Sequence, residues 1–240
     1  MKPRLGIIGG SGLYESEFLE TQKTLDVVTP YGKPSAPLEV GQFGKEQVAF
    51  MPRHAPEHSI PPHRINHLAN LWAMKEVGVE RVVTTSSVGS LKLEIRPGEF
   101  IIPDDFLSPW NIPTYHDEEV VHVTPKLDPS LRVRLLESAQ KAGVQARDGG
   151  VYVQTLGPRL ETVAEIRMFR KFGDVVGMTM ASEATLAREL DLPYASICTI
   201  DNYCHGVVDE PLDYTEIVSV QREKADDLTR VLHAFLEAAP

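Results

Sequence analysis

Three short segments place glycine, hydroxyl or basic side chains directly after an apolar run. They are Gly9-Gly-Ser11-Gly12, Met51-Pro-Arg53-His54 and Ser86-Ser87-Val-Gly89-Ser90. Backbone N–H groups of a glycine loop bind anions, and a guanidinium offers an oxyanion two parallel donors. The segments therefore indicate an anion site, although a plain strand-to-helix turn or a surface salt bridge of Arg53 would explain two of them. Neither GxGxxG nor GxxxxGK[ST] occurs, so the dinucleotide and P-loop fingerprints are missing.

Four histidines at spacings of four, five and four raise a metal hypothesis: His54, His58, His63 and His67. Two HxxxH pairs can ligate zinc when each pair lies on one helix. However, Ile60-Pro-Pro62 interrupts any helix shared by all four, and no HExxH motif is present. We therefore expect no resident metal, with His63 and His67 at a helix start, and keep a metal-dependent hydrolase as an alternative.

Two further positions carry polar groups able to read a planar heterocycle. Glu161 stands at the start of a predicted helix, and Asn202 follows a predicted strand. A carboxylate and an amide together provide acceptors and a donor for such a ring. A helix-terminal acid at Glu161 and a turn at Asp201-Asn202 are the simpler interpretations.

An alternation of strand and helix patterns must position these groups. Strands are predicted at 4–9, 47–51, 80–86, 99–102, 150–154, 174–179 and 194–200, and helices at 63–77, 128–142, 161–172, 182–190 and 215–236. This order predicts an α/β fold in a single domain, 1–240, with a central mixed β-sheet flanked by helices. Residues 104–127 lack periodicity and form either a functional loop or a surface excursion.

Composition excludes several classes of protein. The chain has 240 residues, a formal net charge of −10 and 24% charged residues. A protein that coats nucleic acid would be basic, and no apolar run approaches the length of a membrane span or a signal peptide. Cys198 and Cys204 form no CxxC pair, which suggests a reducing compartment. We expect a cytoplasmic protein with a small-molecule ligand.

Nine segments in order across nearly the whole chain carry a family resemblance: Gly6-Ile-Ile-Gly-Gly-Ser-Gly-Leu13, Thr29-Pro-Tyr-Gly-Lys-Pro-Ser35, Pro52-Arg-His54 with His58, Asn66-His-Leu-Ala-Asn70, Val88-Gly-Ser-Leu91, Pro97-Gly98, Gly157-Pro-Arg159, Val176-Gly-Met-Thr179 with Glu183, and Leu186-Ala-Arg-Glu189. They resemble the trimeric purine nucleoside phosphorylase superfamily, and within it the methylthioadenosine and methylthioinosine phosphorylase branch. The resemblance implies a homotrimer, no metal or organic cofactor, and inorganic phosphate as co-substrate.

The same resemblance assigns site residues. Phosphate would contact Ser11, Arg53, His54, Ser86, Ser87 and Thr179. The base would contact Leu160, Glu161, Asn202 and Cys204. The ribose and its 5′ group would contact Met178, His58, His122, Tyr214 and Ile217. His54 and Asn202 are the expected catalytic residues, and His122 matches a histidine that the family borrows from a neighbouring subunit.

The base-reading segments differ from those of adenine-selective relatives. Such relatives carry Thr-Asp-Tyr-Asp where this chain reads Asp201-Asn-Tyr-Cys204, whereas Leu160-Glu-Thr-Val-Ala-Glu165 resembles enzymes that use 6-oxopurines. An ionised Glu161 accepts N1–H of hypoxanthine, and Asn202 can bond N7 or O6. The prediction is phosphorolysis of a 6-oxopurine nucleoside, first S-methyl-5′-thioinosine. A protonated Glu161 would instead donate to adenine, and a Glu161 that only caps its helix would read no base.

Two departures from the family leave the 5′ substituent open. Trp110-Asn-Ile-Pro-Thr-Tyr115 replaces an Arg-rich motif, and Tyr214 stands where methylthio-selective members have a small apolar residue. The alternatives are phosphorylases of inosine and guanosine or of 5′-methylthioadenosine, and a non-catalytic purine-binding protein.

Overall fold

The computed structural model describes residues 2–11, 13, 19–43, 46–110 and 112–238, so Gly12 and Asn111 of the motifs above lie outside the described residues. The described strands are β1 Leu5–Gly9, β2 Glu20–Leu25, β3 Leu38–Phe43, β4 Glu46–Pro52, β5 Arg81–Ser90, β6 Phe100–Ile102, β7 Asp105–Leu107, β8 Ala146–Asp148, β9 Val151–Gln154, β10 Val175–Gly177 and β11 Tyr194–Tyr203. The described α-helices are α1 His67–Glu76, α2 Pro129–Lys141, α3 Val163–Phe169, α4 Met180–Glu189 and α5 Tyr214–Glu237.

Strand β5 is the centre of a mixed sheet. It pairs in parallel with β11 along its length and with β1 over Arg81 to Thr84. Its last two residues, Gly89 and Ser90, pair antiparallel with β10 instead. Because β5 changes its neighbour on one side from β1 to β10, the sheet divides there. Ligands of α/β sheets bind at such points, beyond the carboxyl ends of parallel strands.

Helices cover both faces of the sheet, as the alternating pattern predicts. Along β1, Leu5 and Ile7 pack with α2 and α5 side chains, whereas Ile8 packs on the opposite face with α1 and α4. This alternation follows from the two-residue period of a strand. The expected α/β class with a central mixed sheet is confirmed.

Four strands were not predicted, and several boundaries differ. The sequence of β2, Glu-Thr-Gln-Lys-Thr-Leu, is almost wholly exposed and shows no apolar alternation, so its pattern gives no strand signal. The other three are β3 and the three-residue strands β7 and β8. The helix expected from residue 63 begins at His67, after a short 3-10 turn at Pro62–Arg64.

Strands β5 and β11 both run further than expected, to Ser90 and Tyr203. Their last residues are polar because they border a cavity, although they remain in the ladder. The turn interpretation of Asp201-Asn202 is therefore wrong. Among the described residues, no helix combines the length and the apolar character that crossing a bilayer requires.

Candidate functional site

A cavity of about 490 Å³ lies where the sheet divides. Its lining includes Ser11, Arg53, His54, His58, Ser86, Ser87, Leu160, Glu161, Met178, Thr179, Asn202, Cys204, Tyr214, Ile217 and Gln221. All the site residues assigned from the sequence therefore meet here except His122, which is exposed on the segment between β7 and α2.

A fully buried ion pair holds Arg53, at one end of the cavity. Arg53 Nε and Nη2 donate to the two oxygens of Glu183 at 2.5 and 2.9 Å, and Tyr194 Oη donates to the same carboxylate at 2.8 Å. The side chains of Arg53 and Glu183 are 1% and 0% exposed. Burial opposes both charges, but their attraction raises the pKa of Arg53 and lowers the pKa of Glu183. The surface salt bridge considered for Arg53 is thus excluded.

The donors of Arg53 that remain are suited to an anion. Nη1 donates to Thr85 O at 2.7 Å, so three of the five guanidinium N–H groups are occupied. One N–H on each Nη remains, and such a pair binds an oxyanion through two parallel bonds. Gly10 makes this packing possible, because a Cβ there would lie 2.4 Å from Thr85 O and 2.6 Å from Arg53 Nη1. The glycine segment therefore allows close approach to β5 as well as a turn.

Hydroxyl groups and a helix start surround the same end. Ser86 Oγ is buried and has no hydrogen-bond partner among the described residues, although Ser86 lines the cavity. Thr179 is the N-cap of α4 and makes no side-chain cap bond. The positive end of a helix dipole favours negative charge at such a position. A bound anion would satisfy the Ser86 hydroxyl, which indicates an anion end formed by Arg53, Ser86, Thr179 and Ser11.

His54 is neutral and held in one tautomer. Its Nδ1 lies 2.9 Å from Ile60 O, so Nδ1 carries the proton and Nε2 keeps a lone pair. Burial, with Arg53 adding to it, lowers the pKa of His54 to about 4. The next segment is strained, since Ala55, Glu57 and His58 all have positive φ. This backbone stacks the rings of His54 and His58 with centroids 4.2 Å apart.

Glu161 lines another part of the cavity, next to His205 and Cys204, and does not cap a helix. The N-cap of α3 is Thr162, which forms a capping box with Glu165. Glu161 is 7% exposed, and its Oε1 accepts a hydrogen bond from Thr155 Oγ1 at 2.6 Å. His205 Nδ1 lies 3.0 Å from Glu161 O and fixes the backbone. The simpler interpretation of Glu161 as a helix cap is therefore wrong.

A β-bulge brings Asn202 and Cys204 into the cavity beside Glu161. The register of β11 against β5 shifts between Ile200 and Asn202, so that Asn202 lies opposite Gly89. Bulges of this kind redirect side chains next to functional sites. Asn202 Nδ2 donates to Tyr203 O at 2.9 Å, and a Cβ at Gly89 would lie 2.6 Å from Cys204 Sγ. Gly89 therefore provides the space that Cys204 occupies.

The Ser87 hydroxyl bonds a carboxylate, whereas the family resemblance assigned it to phosphate. Its hydroxyl donates to Asp201 Oδ2, and Gln221 Nε2 donates to Ser87 Oγ at 2.9 Å and to Asp201 Oδ2 at 2.7 Å. The Ser87 hydroxyl proton is thus committed to a carboxylate rather than free for an anion. Asp201 is 2% exposed, and burial raises its pKa to about 7.

The four histidines do not form one cluster, although His54 and His58 stack on each other. His63 is exposed, whereas His67 is buried with its Nδ1 3.7 Å from Glu183 Oε1. In the part of the chain that the structure describes, no three His, Cys, Asp or Glu side chains form a metal-type cluster.

Sequence reasoning did not find four residues that shape the cavity: Thr155, Glu183 as the partner of Arg53, His205 and Gln221. Glu183 was noted only as part of a matching segment. Thr155 and His205 could have been suspected from their places beside a strand end and after Cys204. Gln221 lies within an amphipathic helix, where nothing in the pattern distinguishes it.

The mixed α/β fold places buried anion-type donors and a carboxylate with an amide in the lining of one cavity. The model of the phosphorylase superfamily matches residues 4–237. This chain therefore belongs to the phosphorylase superfamily.

Individual proteins to which the chain is similar are named as phosphorylases. The chain is 42% identical to a probable 6-oxopurine nucleoside phosphorylase of Dictyoglomus turgidum, over 99% of this chain and 92% of that protein. It is 44% identical to a probable S-methyl-5′-thioinosine phosphorylase of Methanothermobacter thermautotrophicus, over 97% and 83%. A crystal structure of a mutant adenosine/methylthioadenosine phosphorylase of Schistosoma mansoni with methylthioadenosine is similar at a TM-score of 0.91 and 26% identity, over 100% and 93%.

Proposed function

We propose that this protein catalyses reversible phosphorolysis of a 6-oxopurine nucleoside, first S-methyl-5′-thioinosine, to hypoxanthine and 5-methylthioribose 1-phosphate. The observation that carries the proposal is the pairing of two ends in one cavity. Arg53, which keeps two N–H groups without a partner among the described residues, lines the same cavity as Glu161 and Asn202, and the two sets of residues have separate hydrogen-bond partners. Relatives named for 6-oxopurine nucleosides and for methylthioinosine support this choice.

Phosphate binds at the anion end in this proposal. The two remaining N–H groups of Arg53 hold two phosphate oxygens, and the hydroxyls of Ser11, Ser86 and Thr179 hold others. The neutral His54 accepts a hydrogen bond at Nε2 from the P–OH group of hydrogen phosphate. Ser87 lines the cavity next to Ser86, but its hydroxyl donates to Asp201 and does not donate to phosphate.

The base is read by hydrogen-bond matching. Glu161 Oε1 is occupied by Thr155, which leaves Oε2 to accept N1–H of a 6-oxopurine. Adenine would present a lone pair at N1 to the same carboxylate. Asn202 bonds N7 or O6, with Leu160 and Cys204 packing around the ring. An unpaired buried polar group is unfavourable by about 1–3 kcal/mol, so two mismatches give about 10²-fold discrimination or more.

The chemical step needs no covalent enzyme intermediate. The C1′–N9 bond breaks with its electron pair going to the base, and oxocarbenium character develops on the sugar. A phosphate oxygen forms the new bond to C1′ from the opposite face. The leaving purine takes up one proton from water at N7, where Asn202 accepts a hydrogen bond from it, and hydrogen phosphate gives up its P–OH proton to water. The protein aligns the reactants and stabilises charge on the leaving purine. Met178, His58, Tyr214 and Ile217 surround the sugar. Neither a metal nor an organic cofactor takes part.

Phosphorolysis of inosine is the second candidate. Tyr214, Ile217 and Gln221 line the cavity from α5, and we name them the α5 wall. The Tyr214 hydroxyl and the Gln221 amide can hydrogen-bond a 5′-hydroxyl group. The same wall can instead pack against a methylthio group.

We also propose a cytoplasmic homotrimer in which His122 reaches the cavity of a neighbouring subunit. The exposed position of His122 and the 39% exposure of Leu160 and 66% exposure of Tyr214 at the rim support an added wall there. Sedimentation of a fully active monomer would overturn this part of the proposal.

Release of hypoxanthine from S-methyl-5′-thioinosine, measured with and without phosphate, tests the function. We expect release only with phosphate, together with formation of the sugar 1-phosphate, and unchanged rates in the presence of a chelator. Equal release in phosphate-free buffer would identify a hydrolase, and tight binding of hypoxanthine without turnover would identify a binding protein.

A further inference from the structure

Three polar side chains form a closed triangle beside the cavity, and we name it the 87–201–221 triangle. It joins Ser87 on β5, Asp201 at the bulge of β11 and Gln221 on α5. Asp201 Oδ2 accepts from both Ser87 Oγ and Gln221 Nε2, and Ser87 Oγ also accepts from Gln221 Nε2. The triangle therefore fastens α5 to the two strands that carry the cavity.

The triangle fixes which way round the Gln221 amide stands. A primary amide has two N–H donors and one carbonyl acceptor. Nε2 is the atom that faces the triangle, since it donates to Ser87 Oγ at 2.9 Å and to Asp201 Oδ2 at 2.7 Å. Oε1 has no partner among the described residues and is not one of the buried unpartnered atoms, so it is open to the cavity that Gln221 lines. Gln221 thus turns its carbonyl oxygen, an acceptor, away from the triangle and toward a ligand.

The position of Gln221 indicates which part of a nucleoside it meets. Anion and base are taken by the two ends of the cavity, and both must approach C1′ of the sugar. Ile217 and Gln221 of α5 line the same cavity and belong to neither of these two ends, so we assign them to the remainder of the sugar. The polar groups of the sugar that can donate to a carbonyl oxygen are its hydroxyls.

We propose that Gln221 is a specificity-determining residue whose Oε1 accepts a hydrogen bond from one sugar hydroxyl, and that Asp201 is the positioning residue that sets the orientation of the amide. This inference rests on the proposed function. Burial raises the pKa of Asp201 to about 7, and its Oδ1 has no partner among the described residues. An uncharged asparagine at position 201 would therefore accept the same two hydrogen bonds, from Ser87 Oγ and Gln221 Nε2, through its carbonyl oxygen.

An enzyme–substrate cycle tests the proposal with inosine, 2′-deoxyinosine, 3′-deoxyinosine and 5′-deoxyinosine. Gln221→Leu and Gln221→Met both remove the acceptor, and using both guards against one failing to fold. Loss of one hydrogen bond lowers kcat/KM for inosine by about tenfold. For the one deoxynucleoside that lacks the bonded hydroxyl, the same substitutions change kcat/KM by less than about twofold. Gln140→Leu, at an exposed position on α2, is the matched control.

Asp201 is tested by conservative rescue. We name the tenfold dependence of kcat/KM on both the Gln221 acceptor and the bonded sugar hydroxyl the coupling. Asp201→Asn places a carbonyl oxygen where Oδ2 stands and retains the coupling. Asp201→Val removes both accepted bonds and loses the coupling, while the KM for phosphate stays within about twofold of wild type.

The outcomes separate this inference from the proposed function. If wild type releases no hypoxanthine from any of these nucleosides with phosphate, the proposed function fails. If it does release hypoxanthine but Gln221→Leu and Gln221→Met reduce kcat/KM equally for all four, Gln221 meets no sugar hydroxyl and the inference is overturned. Equal coupling in Asp201→Val and Asp201→Asn would overturn the positioning role of Asp201.

Discussion

The anion end of the cavity and its base end, which we define by Glu161, Asn202 and Cys204, differ in where the hydrogen-bond partners of their charged side chains lie in the chain. At the anion end, Arg53 is 1% exposed and bonded to Glu183, 130 positions away in the chain, and to Thr85. At the base end, Glu161 is bonded to Thr155 only six positions away, and the neighbouring Leu160 is 39% exposed. The Arg53 guanidinium is held by partners far along the chain, whereas the Glu161 carboxylate is held by one hydroxyl close to it in sequence.

The difference separates two tasks. A buried guanidinium that three hydrogen bonds hold in place keeps its geometry without a ligand, so little reorganisation is needed when the anion binds. Residues with local partners can change without disturbing the sheet. Substitutions at the anion end should therefore affect both folding and catalysis, whereas those at the base end should affect the choice of substrate.

The largest effect is expected from Arg53→Met. The substitution leaves the Glu183 carboxylate buried without its ion-pair partner, which lowers the free energy of unfolding by about 3–5 kcal/mol. Loss of the anion donors lowers kcat/KM for phosphate by about 10³-fold. Urea unfolding and initial rates measure the two effects.

A double variant separates these effects. Arg53→Met with Glu183→Met removes the unpaired charge and restores most of the stability, while activity stays lost. Recovery of activity in the double variant would show that Arg53 only supports the fold.

Glu161→Gln comes next, with an effect on substrate choice. The amide introduced by this substitution keeps an oxygen for Thr155 but turns an N–H toward the base. We therefore expect kcat/KM for methylthioinosine to fall by about 10²-fold and that for methylthioadenosine not to fall. Thermal unfolding stays close to that of wild type. Glu210→Gln, at an exposed position, is the matched control. An unchanged ratio of the two kcat/KM values would show that Glu161 does not read the base.

The third prediction concerns pH. Burial lowers the pKa of both His54 and His67 to about 4. Between pH 6.5 and 4 the unfolded chain takes up protons that the folded chain does not, so these groups stabilise the fold above pH 6.5 and their contribution is lost as pH falls. Each accounts for up to about 3 kcal/mol. Asp201, with its pKa raised to about 7 by burial, acts in the opposite direction between 3.8 and 7.

His67→Gln isolates one of these groups. Urea unfolding at pH 6.5 and 4.5, at one protein concentration, should show a smaller loss of stability than in wild type, by about 1–3 kcal/mol. Equal losses in the two proteins would mean that His67 is not held neutral by the fold.

The smallest effect is expected from Tyr214→Ala. Tyr214 is 66% exposed, so the free energy of unfolding changes by no more than about 0.5 kcal/mol. The ratio of kcat/KM for methylthioinosine and inosine shifts several-fold, because Tyr214 lines the α5 wall. A large loss of stability would place Tyr214 in a buried subunit contact.

The sequence was sufficient for the class of fold and for most of the cavity lining. Motifs that follow apolar strands, such as Arg53 and Ser86, are visible because strand ends meet at one sheet edge. The pairing of Arg53 with Glu183 is not visible, since no local pattern links residues 130 positions apart. The polar ends of β5 and β11 were missed because strands that border a cavity lose the apolar signal. The edge strand β2 was also missed, because nearly all its side chains are exposed and it therefore lacks an apolar pattern.

The central claim is that the cavity reads a 6-oxopurine while phosphate attacks. It is tested most directly by supplying wild-type enzyme with equal concentrations of S-methyl-5′-thioinosine and 5′-methylthioadenosine at saturating phosphate and following both bases. The account predicts hypoxanthine formation at least about 10²-fold faster than adenine formation. Preferential release of adenine would contradict it.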